Sequence, residues 1–213
     1  MTHARARRRQ ALRTRILDAA RTLLQEGGAD AFTLRTLGGL LDYAPSALYR
    51  HFPSKGALLQ ALVDADYAAF SAANAPAAEP DPVERIRQGA RSYVEFGLTH
   101  PDQYRLLFVS PPRGPGAPLS ELPSVPVGDP ETDRYATLRQ AVEEAIATGR
   151  FRPDAGDAEL ITQALWAAVH GVVSLHLIRE SQPWLDWRPA VETAACLVES
   201  VLRGLAPSGS HPP

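Results

Sequence analysis

Ala47-Leu48-Tyr49-Arg50-His51-Phe52-Pro53-Ser54-Lys55 decides how the rest of the chain is read. Pro45, just upstream, suits the first turn of a helix, because the N–H it lacks has no partner there. Leu48 and Phe52 stand four residues apart and share one helix face, the face that turns to a core. Pro45, Ser46, Ala47, Tyr49 and Arg50 are left on the outer side. Pro53-Ser54 stops this helix near Phe52, and the Ser54 hydroxyl is a good cap for another.

Working back from that stretch, Thr33 caps a helix predicted over residues 34–41, packed through Leu34, Leu37 and Leu41. A break follows at residues 42–44. Before it, Leu12, Ile16, Ala19, Ala20, Leu23 and Leu24 form a helical stripe from Arg9 to Glu26, and Gly27-Gly28 is expected to end it. A long helix followed by two short ones joined by a tight turn is a helix-turn-helix. In such a unit the N-terminal residues of the second short helix meet base edges in the major groove. That role falls to Pro45, Ser46, Ala47, Tyr49 and Arg50. Tyr49, His51 and Lys55 carry donors that suit phosphates, and the next helix presents free backbone N–H groups at its start. Thr33 and Arg35 at the first short helix, with Arg8 and Arg9 of a basic arm, complete the set expected on DNA.

Charge agrees with this placement. The 213-residue chain has a formal net charge of −2. Residues 1–60 hold ten Lys or Arg against four Asp or Glu, a net +6, which leaves −8 for the remainder. A basic module joined to an acidic body suits a nucleic-acid reader with a solvated second domain. The Arg5–Arg9 arm is expected to reach the minor groove.

The combination Ile16-Leu17-Asp18-Ala19-Ala20, Gly27, Phe32-Thr33-Leu34-Arg35-Thr36-Leu37, then Ala47 to Lys55 and Leu58-Leu59 resembles the TetR family over about residues 9–64. The resemblance implies an all-helical homodimer that represses transcription and leaves DNA when it binds a small molecule. Two departures stand out. Asp42-Tyr43-Ala44 replaces the family's frequent Gly-Val-Ser, and Gly38-Gly39 lies inside a helix, where glycine costs stability.

Downstream, helices are predicted from Ser54 through Phe70, then over about 83–99, 102–109, 130–148, 157–179 and 189–204. Residues 74–82 read as a linker. Residues 110–128 hold six prolines and read as an irregular loop. Trp166, His170 and Gly171 resemble the Trp-x-x-x-His-Gly signature of one C-terminal subclass of that family, as does the segment Pro101–Phe108. Trp166 and His170 share a helix face. With Tyr93, Phe96, Tyr104 and Phe108 they make an expected apolar ligand site with one polar handle. The alternative is that these rings are plain core, with Gly171 permitting close helix packing.

Catalytic motifs do not emerge: there is no Gly-x-Gly-x-x-Gly, P-loop, Gly-x-Ser-x-Gly or His-Glu-x-x-His. Cys196, the single cysteine, falls in an apolar helical stripe and is expected in a core. One cysteine builds no disulfide within the chain, which fits a reducing cytoplasm. His170 and His176 are six residues apart, on different faces, so no metal is expected; nor is a cofactor. The run Ala164–Ile178 is short for a bilayer, so no membrane partner is expected.

The expected architecture is therefore all-α. A helix-turn-helix DNA-binding domain covers 1–55, a helical ligand-sensing and dimerisation domain covers 56–206, and a frayed tail covers 207–213. The expected partners are a near-palindromic double-stranded operator, a small-molecule effector and a second copy. A non-sensing regulator, whose second domain only dimerises or meets a protein, is the alternative.

Overall fold

A computed structural model of the chain describes residues 2–31, 33–74, 79–109, 128–130, 132–179 and 183–207. Every regular element among them is helical. In order they are α1 (Thr2–Ala31), α2 (Leu34–Leu41), α3 (Pro45–Tyr49), α4 (Lys55–Ala73), α5 (Pro82–Thr99), α6 (Pro101–Tyr104) with a π-helical turn at Arg105–Val109, α7 (Arg134–Ala147), α8 (Ala158–Leu177) and α9 (Ala190–Leu205). The chain forms two compact units, Met1–Ala68 with Asp102–Ser124, and Ala69–Pro101 with Val125–Pro213. The first unit thus takes in more than residues 1–55. The proline-rich loop lies outside the described residues except at Gly128, as do residues 75–78 of the linker and the tail from 208.

In the first unit, Ile16, Leu17 and Ala20 of α1 meet Leu34 and Leu37 of α2, Leu48 of α3, Phe52, and Leu58, Leu62 and Val63 of α4. Leu106, from the π-helical turn, joins the same core. The Arg13 guanidinium lies 4.5 Å from the centre of the Phe52 ring.

Local chemistry sets the turn. Thr33 Oγ1 accepts from Thr36 N at 3.0 Å, a cap worth about 1 kcal/mol. Asp42 closes α2 in the left-handed region, φ 57°. Tyr43 N then donates to Gly38 O at 2.9 Å. A Cβ on Gly38 would sit 2.7 Å from the Tyr43 carbonyl oxygen. Gly38 is therefore required by the close approach of the turn to α2. Gly38→Ala should destabilise this unit by about 1–3 kcal/mol, since backbone must shift to admit the methyl. Asp42→Gly should stabilise it by up to about 1 kcal/mol by removing the left-handed penalty. Urea melts of the two variants check both signs.

Two expectations about α1 fail. Gly27-Gly28 do not end it, because the helix runs on to Ala31. A glycine costs only about 1 kcal/mol, and a helix already nucleated over about seven turns propagates through that. Residues 5–9, expected as an arm ahead of a helix starting at Arg9, are instead part of α1.

In the second unit, α5 packs on α7, α8 and α9, and α8 packs on α7 and α9. Asp81, Asp133 and Asp157 cap α5, α7 and α8 by accepting from backbone N–H groups. Arg87 of α5 grips Glu199 of α9 through two nitrogens at 2.5 and 3.2 Å. Arg85 pairs with Glu144 of α7, and Arg150 with Asp81 at 2.6 Å. By length and apolarity α8 would suit a bilayer. One face of it, Ile161, Leu165, Val169, Val172 and Val173, is instead buried in the unit's core. Its opposite face is not: Leu160 is 64% and Leu175 53% exposed.

Candidate DNA-reading head and effector site

The reading head is built on α2 and α3. With Leu48 and Phe52 buried, α3 shows Pro45, Ser46, Tyr49 and Arg50 to solvent, and Ala47 is half-buried. Tyr49 is 54% exposed. Arg8, Arg9, Thr33, Arg35 and Lys55 are also exposed, and His51 is half-buried between α3 and α4. Ala44 provides no side-chain cap to α3. Ser54 Oγ accepts from Ala57 N at 3.0 Å and orients the first turn of α4.

Burial, then the Arg9, Arg13 and Arg50 guanidiniums, lower the pKa of His51 from its ordinary value. A DNA phosphate beside it would offset those cations and raise the pKa again. Binding then takes up a proton. Affinity is highest below the free-state pKa and is lost as pH rises through the DNA-bound one. Operator affinity is expected to fall severalfold between about pH 5.5 and 7.5, in the range where histidines titrate. His51→Asn should flatten that profile in anisotropy titrations; an unchanged slope would show that His51 meets no phosphate.

The aromatic site lies in the second unit. Tyr93 of α5, 7% exposed, faces Trp166 and His170 of α8. Trp166 Nε1 donates to Tyr93 Oη at 3.3 Å. Tyr93 Oη is 3.3 Å from His170 Nδ1, and His170 Nε2 is 3.4 Å from Ser174 Oγ. Burial lowers the His170 pKa, favouring the neutral ring. The tyrosine oxygen receives the indole proton and lies within hydrogen-bond reach of Nδ1, and the imidazole tautomer decides which of the two donates there.

Further rings border this chain. Phe70 meets Tyr93 and Phe96 edge-on, with centroids 5.6 and 5.3 Å apart. Tyr135 of α7 meets Trp166 edge-on at 5.9 Å and donates to Glu159 Oε1 at 2.5 Å. Burial and that hydrogen bond raise the Tyr135 pKa, while donors from Tyr135 and Gln163 lower that of Glu159.

Of the six residues expected here, the structure gathers Tyr93, Phe96, Trp166 and His170. Tyr104 and Phe108 belong to the other unit, with centroids 5.1 Å apart. Phe70, Tyr135, Glu159 and Ser174 were missed. Only Ser174, eight residues beyond Trp166 on the same helix face, was readable from spacing. Gly171 does not permit a close helix approach, since a Cβ there meets nothing within 4 Å. Cys196 is exposed rather than core. His176 is buried, with its two ring nitrogens 2.9 Å from Val172 O and 3.0 Å from Arg188 O.

A basic helix-turn-helix head with an outward aromatic on its recognition helix, joined to a helical second unit with a polar chain among rings, defines a DNA-binding regulator with a separate helical domain. Residues 16–62 match the bacterial regulatory proteins of the tetR family, and residues 86–195 match the tetracyclin repressor-like C-terminal domain. The chain belongs to the TetR family of DNA-binding transcriptional regulators.

A tetracycline repressor protein of class A from Escherichia coli is 36% identical over 106 residues, a match spanning 50% of this chain and 48% of that protein. An HTH-type transcriptional regulator of Mycobacterium bovis is 27% identical and spans 79% of this chain and 82% of its own length. A solved structure of a protein of unknown function from Rhodococcus sp. RHA1 superposes with a TM-score of 0.70, at 28% identity, over 92% of this chain and 96% of that one.

Proposed function

We propose that the chain is a homodimeric cytoplasmic repressor, released from a near-palindromic operator by a small, mostly apolar molecule. In this reading residues 1–55 read DNA and 56–206 sense the effector and dimerise. The effector lies at Tyr93, Phe96, Trp166 and His170, and the second domain is of the Trp-x-x-x-His-Gly subclass. The observation that carries it is the hydrogen-bonded chain Trp166–Tyr93–His170–Ser174, set among Phe70, Phe96 and Tyr135. A ligand offering one hydroxyl or carbonyl can enter this chain by replacing a long bond of 3.3–3.4 Å with a shorter one, while its apolar body meets rings. The similarity to a protein named as a tetracycline repressor agrees with this reading. Dimerisation is supported by the open apolar face of α8, by Leu197 of α9 at 42% exposed and by Trp184 at 71%. A two-fold pair would cover these residues and set two heads on half-sites.

The test is Trp166→Ala. In a screen of apolar compounds bearing one polar group, a true effector should lower wild-type operator affinity roughly 5–150-fold. The variant should bind operator as well as wild type without effector and lose most of that response. A folded variant that keeps the full response would place the effector elsewhere. A wild-type chain that responds to no compound would make the second domain a dimerisation module only.

A further inference from the structure

Asp66, on α4, is the one fully enclosed carboxylate among the described residues, at 0% exposed. A buried charge is costly unless it is paired and hydrogen-bonded. Here it is held from two sides within the reading-head unit. Arg21 of α1 donates from Nη2 to Oδ1 at 2.5 Å and from Nε to Oδ2 at 3.2 Å. Gln103 of α6 donates from Nε2 to Oδ1 at 3.0 Å. The Arg21 guanidinium also reaches Asp18 at 2.9 Å. Three residues after Gln103, Leu106 enters the same core as Ile16, Leu58 and Leu62. The segment 102–109 is thus an integral part of the head, although the chain leads into it directly from α5, which carries Tyr93 and Phe96. Its π-helical turn departs from the ideal ladder, a geometry that recurs where helices serve function.

We propose that Asp66 is a positioning residue. Its carboxylate clasps α1 and the segment 102–109 together, so that operator affinity is set in part from Gln103, which is not among the DNA-facing residues. The proposal deepens the reading of the chain as an effector-controlled repressor and rests on it: movement passed along the chain from α5 reaches the head at Gln103. The clasp is fastened by two donors of different kinds. The arginine fork fixes orientation and charge, while the neutral amide adds one bond that breaks at smaller cost. Gln103 is therefore the releasable side and Arg21 the permanent one. Reciprocity follows: if Gln103 biases operator binding, operator binding must steady residues 102–109.

Hydrogen exchange, read with and without a duplex selected by the wild-type chain from a random-sequence pool, tests this. Operator should slow the amides of 103–109 by at least about fivefold, within the range of measured couplings, and a scrambled duplex should not. Gln103→Glu sets a second carboxylate against Asp66. It should abolish that protection and change operator affinity at least about tenfold, counted per active head. Asp66→Asn combined with Gln103→Glu restores one carboxylate and one amide beside Arg21. It should return affinity to within about threefold of wild type, as expected for a local pair rather than general stability.

The proposal is overturned if exchange at 103–109 is the same with and without operator. It is equally overturned if folded Gln103→Glu binds operator like wild type, or if the double variant gives no recovery. Failure of the wild type to bind any duplex would instead sink the DNA-reading assignment. In that case the clasp is judged on the DNA-free protein: Gln103→Glu must speed exchange around Arg21 as well as at 103–109, and acceleration at 103–109 alone overturns it.

Discussion

Raising the salt concentration from 50 to 200 mM is expected to weaken operator binding by about 10³-fold or more. The exposed cations Arg8, Arg9, Arg35, Arg50 and Lys55 stand on the head, and the proposed two-headed complex would double them. If three to five per head replace condensed counterions, roughly six to ten phosphates are neutralised, and log K falls with log salt at about −0.9 per phosphate. The acidic remainder of the chain, net −8 over residues 61–213, discourages contacts elsewhere on the duplex. Anisotropy titrations at several salt concentrations give the slope directly. Arg50→Ala should reduce the slope by about one per head; a slope near zero would remove the phosphate assignment altogether.

Phe52→Ala is expected to be the most damaging single change in the head. The ring is 2% exposed, sits in the core shared by α1, α2 and α4, and lies under the Arg13 guanidinium. Removing a buried phenylalanine costs about 3–5 kcal/mol through lost transfer energy and the cavity left behind. The cation–π contact adds ~0.5–1 kcal/mol at a partly exposed site. A unit of this size has little stability to spare, because small domains bury a smaller fraction of their surface. Since about 1.4 kcal/mol is a factor of ten, operator affinity should fall by roughly 10²-fold or more as the folded head becomes scarce. The second unit has its own core through Val94, Val142, Phe151 and Val173, so much of the helical signal should persist. Circular dichroism during urea unfolding should then show an early partial transition. A variant that melts in one step at the wild-type midpoint would show that Phe52 does not hold the head together.

Where local chemistry decides, the sequence is legible. Thr33 and Asp42 bound α2 at the residues expected, because a side-chain cap and a left-handed residue are local devices. Leu48 and Phe52 bury as their spacing requires. What escaped depends on chain segments distant in sequence. Gly38 reads as a weak point until the Tyr43 carbonyl is seen beside it. Phe70 and Tyr135 reach the aromatic site from α4 and α7, and no periodicity in α5 or α8 announces them. Tyr104 and Phe108 share aromatic character with that site, yet the chain changes unit after Pro101. Cys196 sits in an apolar stripe whose other members, Ala194 and Val198, turn inward while it does not.

The π-helical turn at Arg105–Val109 also bears on how relatives of this chain should be compared. Such a turn closes i to i+5 and so holds one residue more than the α-helical turn it replaces. Losing one residue there leaves an ordinary α-helical turn after Pro101–Tyr104, whereas a loss inside an α-helix swings every later side chain of that helix by about 100°. Length variation among related sequences is thus expected to concentrate between 105 and 109. An alignment forced to run without a gap at that point would misassign everything from Leu106 onward by one position.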